Sequence, residues 1–380
     1  MKSGSTTDRY PYWPRHGGRE KGVLCLALSV FMFACSATEL LPELLRFKSG
    51  AEVATSEDWN RRRSELMEAI QFYEYGHIPE RPLRVGFEPT RERRMEAIGA
   101  LETRGHLKIQ APFELSFEMA LYRPMTGSTF PVLIREEHAL GHTEEVGPIV
   151  ARGFMFIEFA REELAPDNAT DAGPARKAYP DQDWGTLAIW AWGSMRVVDY
   201  LESREDVKPE QIGIVGHSRG GKMALLAGAL DERFTLVAAN GSGCGGAGCF
   251  RIQPKGVETL ELITRAERFG YWFHPRLREY AGREEALPLD QHFLKALVAP
   301  RALICTEATN DLWANPEGNK RTSKAAQEVF DFLGASERNA LHFREGGHDF
   351  TAADWEAILD FAQWHWSGMA PDDRRRFRQF

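Results

Sequence analysis

The sequence predicts an α/β protein, a three-layer αβα sandwich with a mostly parallel central sheet. Three observations carry this. Short apolar runs alternate along the chain with longer segments of helical period. One run, Ile212-Gly213-Ile214-Val215, passes through the tight turn Gly216-His217-Ser218-Arg219-Gly220 into a helical pattern beginning at Met223. Two polar residues after later strands, Asp311 and His348, follow Ser218 in that order.

The chain has 380 residues, a length compatible with two domains and also with one α/β domain. We read residues 38–380 as one domain. The apolar fraction of 43% is ample for a core. A net charge of −8 argues against a nucleic-acid partner, and no stable protein partner is implied. Residues 1–21 are polar and carry Lys2, Arg9, Arg15, Arg19 and Lys21. The following GVLCLALSVFMFACSA, residues 22–37, is short for a membrane span. It fits the apolar region of a signal peptide ending in small residues. Residues 1–37 are therefore predicted to be a leader, which makes the protein secreted or periplasmic, with Cys35 a candidate lipid anchor. The alternatives are a retained anchor and a misplaced start. Of five cysteines, Cys25 and Cys35 fall in the leader. Cys244, Cys249 and Cys305 allow at most one bridge, Cys244–Cys249 being a pairing to test, and none has zinc-site spacing. No metal or organic cofactor is implied.

In chain order, Thr55 or Ser56 caps a helix that runs to Tyr75 and stops at Gly76. Residues 104–109 and 113–122 alternate apolar and polar side chains and predict a β-hairpin at the sheet edge. Strands follow at 130–135 and 154–159. The segment between them, Glu136 to His142, lies where this fold places an oxyanion-hole loop, so His138 and His142 are candidate site residues. A polar loop at 160–180, with Asp167, Asn168 and Asp171, could roof the site. A helix from Asp183 or Trp184 to Glu202 carries Trp190 and Trp192 as core residues. Strands at 234–240, 300–306 and 339–344 and helices at 320–333 and from Thr351 or Ala352 to Trp366 complete the chain. Pro300 is assigned the first position of its strand.

Strand, tight Gly-x-Ser-x-Gly and helix form the setting of a nucleophile elbow. Ser218 is then the candidate nucleophile, and the Arg219 N–H, at a helix start, a candidate oxyanion donor. Among eleven histidines, His348 alone sits in a Gly-rich turn past the last strand, where the base belongs. Asp311 has the acid's place between serine and histidine, with Glu307 as its rival. The order Ser218, Asp311, His348 is that of an α/β-hydrolase.

With these residues in view, the chain resembles a glucuronoyl esterase of the bacterial type. Gly216-His217-Ser218-Arg219-Gly220-Gly221-Lys222 is similar to that family's Gly-x-Ser-Arg-x-Gly-Lys signature. Further matches are Glu74 to Pro79, Asp231 to Phe234, Asn240 to Gly246, Leu287 to His292, Asp311 to Pro316 and Gly346 to Asp349. The resemblance implies cleavage of esters between (4-O-methyl-)glucuronic acid on cell-wall xylan and lignin alcohols. It implies that the Arg219 side chain joins the oxyanion hole and that Lys222 and Trp313 bind sugar hydroxyls. Glu258 and Glu267 lie near the family's sugar-binding Gln or Glu positions. The helical spacing of Lys222 points its side chain to the Ser218 side. Fungal members carry the acid as a Glu just before Ser-Gly-x-Gly-Gly. Here that position is Gly241, so Asp311 serves alone. His217 and Asp349 stand where fungal members have a disulfide. Rival functions are acetylxylan or other carbohydrate esterase and a non-catalytic carbohydrate-binding relative.

Overall fold

The structure is a computed structural model and describes residues 41–82, 84–110, 114–141 and 144–380. The predicted leader, Cys35 and His142 lie outside the described residues. Among the described residues nine strands form one sheet: β1 (Arg84–Met95), β2 (Ala100–Gln110), β3 (Glu114–Pro124), β4 (Phe130–Glu137), β5 (Met155–Ala160), β6 (Val207–His217), β7 (Leu236–Asn240), β8 (Ala302–Ala308) and β9 (Asn339–Arg344). Among the described residues the helices are α1 (Ser56–Ile70), α2 (Val146–Ala151), α3 (Gly173–Ala178), α4 (Thr186–Leu201), α5 (Arg219–Leu230), α6 (Leu260–Ile263), α7 (His292–Val298), α8 (Pro316–Phe332) and α9 (Ala352–Ser367).

The sheet order is β1-β2-β3-β5-β4-β6-β7-β8-β9. The β1–β2, β2–β3 and β3–β5 pairs are antiparallel, and every pair from β5 to β9 is parallel. Two apolar layers cover its faces. Leu66, Trp190, Leu225, Leu297 and Phe330, from α1, α4, α5, α7 and α8, lie in one. Ile149, Trp355, Ile358 and Phe361, from α2 and α9, lie in the other. The αβα sandwich of the sequence reading is therefore the fold.

After β4 the chain steps outward to β5 and then crosses back to β6 on the other side of β4. Ligands of open α/β sheets bind at the strand carboxyl ends beside such a switch. The carboxyl ends of β4 and β6 here bear Glu136, Glu137, His217 and Ser218.

Three element predictions need correction. The edge is a three-stranded meander, because β1 precedes the expected hairpin. Its sequence RVGFEPTRERRM is mostly exposed and charged, with Pro89 next to an irregular step in the pairing, so no alternating pattern marks it. Helix α5 begins at Arg219, not Met223, with Lys222 N–H donating to Ser218 O at 3.1 Å. Gly220 and Gly221 lower helix propensity there, which hid the first turn. Pro300 lies two residues before β8. Where capping was legible the reading holds: Thr55 Oγ1 accepts from Asp58 N at 3.1 Å, and Gly76 ends the segment at φ 80°.

Candidate active site

Ser218 occupies the turn between β6 and α5 at φ 54°, ψ −118°, a region that costs a non-glycine residue about 1–3 kcal/mol. The surroundings hold it there. Its N–H donates to Asn240 O at 2.8 Å. A Cβ on Gly216 would lie 2.0 Å from Gly220 O, so strand and helix can meet only over a glycine. A Cβ on Gly220 would meet the Glu136 carboxylate at 1.8 Å.

Ser218 Oγ lies 2.9 Å from His348 Nε2, and His348 Nδ1 lies 2.6 Å from Asp311 Oδ2. The Asp311 side chain is buried, while His348 stands about one-third exposed at the cleft. An Nδ1–H donating to this carboxylate leaves Nε2 to accept the serine proton. Asp311 is also anchored by accepting from Ala314 N at 3.2 Å. The rival acid Glu307 is buried elsewhere, on β8, with Asn319 Nδ2 donating to it.

Beside His348 stands His217, its ring 4.9 Å away and its Nδ1 2.6 Å from Asn240 Oδ1. Burial pushes His217 down to about 4, so it stays neutral when His348 carries a proton. The Asn240 amide donates to Thr306 Oγ1 at 2.8 Å, tying the ends of β6, β7 and β8 together.

Arg219 starts α5, so its N–H has no acceptor within the helix. Its guanidinium pairs with Asp167 and lies 5.1 Å from the Trp272 ring. Asp167 also accepts from Tyr271 Oη at 2.8 Å and Trp272 Nε1 at 2.7 Å. Burial works to raise its pKa, but the bonds from Trp272, Arg219 and Tyr271 outweigh it and hold Asp167 below the ordinary carboxylate range. Thus the 160–180 loop, read only as a possible roof, carries the carboxylate that fixes Arg219.

The surrounding cleft has a volume of about 770 Å³. His138 and Asn168 line it together with Ser218, Arg219 and His348. Lys222, Trp313, Glu258 and Glu267 are not among its lining residues.

Lys222, expected to point to the Ser218 side, has its ammonium group enclosed by protein acceptors. It is 2% exposed, and Nζ donates at 2.6 Å each to Ser242 O, Cys244 O and Glu258 Oε2. Three ammonium donors meet three acceptors, so Lys222 and Glu258 form a buried pair under the 241–246 loop. A Cβ on Gly243 would lie 2.8 Å from Glu258 Oε2 and 3.5 Å from Lys222 Nζ, so the loop closes directly over them. Trp313 is half-buried below the Arg268 guanidinium at 5.2 Å, and its carbonyl accepts from Glu258 N. Glu267 is exposed, with Arg265 among its electrostatic neighbours. Cys244, Cys249 and Cys305 are all free and buried.

Two expected outcomes follow from these buried groups. Lys222→Met strands the Glu258 carboxylate and lowers the unfolding free energy by about 3–5 kcal/mol. Lys222→Met/Glu258→Leu loses less, and urea unfolding of both variants measures the difference. Glu307 gives a pH effect. Burial raises it to about 8 from 4.5, against the hydrogen bond from Asn319. The unfolded chain loses this proton near 4.5 while the fold keeps it to about 8, so its contribution to stability is full below 4.5 and declines as pH rises towards 8. Glu307→Gln removes that decline. The melting temperature of the native chain relative to the variant therefore falls between about pH 5 and pH 8.

The sheet order and the strand–serine–helix turn define an α/β-hydrolase. The profile of the family described as "Glucuronyl esterase, fungi" matches residues 110–334, and the chain belongs to that family. Among its relatives is "Carbohydrate esterase MZ0003" from an unknown prokaryotic organism, 29% identical over 87% of this chain and 90% of its own length. A "4-O-methyl-glucuronoyl methylesterase" of Schizophyllum commune is 28% identical over 84% of this chain and 79% of its own. Among solved structures, a carbohydrate esterase family 15 glucuronoyl esterase from Caldicellulosiruptor kristjansonii has a TM-score of 0.79 at 30% identity, covering 90% of this chain and 94% of its own.

Proposed function

We propose that the chain hydrolyses carboxylic esters whose acyl group is (4-O-methyl-)glucuronic acid, as on plant cell-wall xylan, with Ser218 as nucleophile. The observation that carries this is the Ser218–His348–Asp311 line at the elbow, with distances of 2.9 and 2.6 Å. His348 takes the Ser218 proton as Oγ attacks the ester carbon, then gives it to the departing alcohol oxygen. Water, deprotonated by His348 in turn, hydrolyses the acyl-enzyme. Asp311 fixes the imidazole tautomer and stabilises the imidazolium.

The tetrahedral oxyanion lies at the start of α5, where the Arg219 N–H and the helix dipole favour negative charge. The guanidinium held by Asp167 adds a second source of positive charge. Arg219→Ala should lower kcat about 10²–10³-fold with a smaller change in KM, measured by steady-state kinetics. The uronate assignment is supported by family membership and by the names of the relatives above. Residues 1–37 as an export leader before the catalytic domain complete this reading. Among the described residues no helix is long and apolar enough to cross a membrane.

The test compares benzyl glucuronate with an acetyl ester of comparable leaving group, with Ser218→Ala as the uncatalysed baseline. Preferential turnover of the uronate ester supports the proposal. Preference for the acetyl ester overturns the substrate and leaves the nucleophile standing. Absence of Ser218-dependent turnover of both overturns the whole reading.

A further inference from the structure

We infer that the cleft beside Ser218 is a subsite for the leaving alcohol, built for an alcohol with several hydroxyl groups rather than a benzylic one. This rests on the uronate-ester reading and deepens it, because that reading fixes the acyl group and leaves the alcohol open.

The side on which the alcohol lies follows from proton transfer. His348 must reach the departing oxygen, so the alcohol occupies the His348 side of Ser218. That wall can be traced. The His217 ring is 4.9 Å from His348 and 5.7 Å from Phe350. Phe350 in turn lies 5.1 Å below the Arg135 guanidinium. Arg135 Nε pairs with Glu137 Oε1 at 2.8 Å. Further out, His138 Nδ1 is 3.1 Å from Glu162 Oε1, which also lies 3.4 Å from Arg161 Nε. Arg135, Glu137, His138, Arg161 and Glu162 all line the cleft that holds Ser218 and His348.

Phe350 lies beneath the Arg135 guanidinium, and the side chains in front of it are polar. Among the described residues, every side chain lining the cleft is charged, an amide, a hydroxyl or an imidazole, and none is aliphatic, phenyl or indole. A phenyl ring laid here would displace water from the Arg135–Glu137 pair and the exposed His138 imidazole and offer no hydrogen bond in return, a net cost. A polyol does the reverse. Its hydroxyls donate to Glu137, accept from Arg135 and meet the exposed His138 imidazole and Asn168 amide, replacing the water they displace. A benzylic alcohol needs an apolar face, which this cleft does not provide. The aromatic side chain assigned to sugar binding, Trp313, is outside it.

The experiment uses three glucuronic acid esters with one acyl group and different alcohols: glyceryl, methyl and benzyl. Ser218→Ala provides the baseline, and kcat/KM is measured for each. The glyceryl ester should exceed the benzyl ester by about tenfold, the worth of one net hydrogen bond or two, with the methyl ester below glyceryl. His138→Leu then alters the wall at a side chain 75% exposed, where folding is not at stake. This variant should narrow the glyceryl-to-benzyl ratio severalfold, the glyceryl ester losing and the benzyl ester gaining. A benzyl ester equal to or faster than the glyceryl ester overturns the inference. So does a His138→Leu effect of the same factor on both esters, which would place the cleft on the acyl side. No Ser218-dependent turnover of any of the three removes the underlying uronate reading, and this inference with it.

Discussion

Ser218→Ala lowers kcat on the uronate ester by a factor on the order of 10⁶, and His348→Ala lowers it by a similar factor. The double variant is no slower than either single one. The reason is geometric. Among the described residues, the base within reach of Ser218 Oγ is His348 Nε2 at 2.9 Å. Without the base the hydroxyl is not activated, and without the hydroxyl the base has nothing to deprotonate. Each deletion therefore removes the same step. The rate that remains comes from what both variants keep, namely the Arg219 N–H, its guanidinium and the binding cleft. Single-turnover kinetics on all three variants measures this. Additive losses would show that serine and histidine act in separate steps. The fold is not at risk in either change, since Ser218 and His348 both border the cleft. Replacing Ser218 leaves its strained φ of 54° in place, because the glycines and Asn240 that impose it remain.

The elbow was legible because its constraints are local. A β-branched strand, two glycines and a helix start lie within a dozen residues, and each has one physical reading. Asp311 and His348 were legible for a related reason, since both follow strands whose apolar runs mark the same end of a parallel sheet. Lys222 shows where such reading stops. Its helical position sets the direction of Cα–Cβ, but the end of its side chain goes where acceptors are. Those acceptors come from Ser242, Cys244 and Glu258, whose loop geometry depends on glycines at positive φ. Asp167 was harder still. Its role depends on Tyr271 and Trp272, about a hundred positions away, converging with Arg219 on one carboxylate. Nothing in the spacing of Asp167 marks that convergence. β1 was missed because a solvated edge strand buries too little to leave an alternating pattern.

Asp311→Asn lowers kcat by about 10⁴, and Gly241→Glu in that background restores part of the loss. An asparagine is close in shape to Asp311 and keeps the bond from Ala314 N through its oxygen. Its amide can face His348 Nδ1 only as a donor or as a neutral acceptor. The first forces the imidazole proton to Nε2, where it blocks deprotonation of Ser218. The second leaves the imidazolium without a counter-charge. Restoration follows from the backbone. A Cβ on Gly241 would lie 3.4 Å from both His348 Nδ1 and Asp311 Oδ2. A carboxylate carried there can reach the imidazole from the end of β7 instead of β8. The base can thus be served by an acid from either of two adjacent strands. Gly241 has φ 50°, so a glutamate is strained there by about 1–2 kcal/mol, which keeps the restoration partial. In the native background the same change sets two carboxylates against each other and should lower activity. The pair of outcomes, loss with Asp311 present and gain in the Asp311→Asn background, separates a second acid position from a general effect of the substitution. Gain in neither background would mean that the strand ends hold the histidine by shape alone.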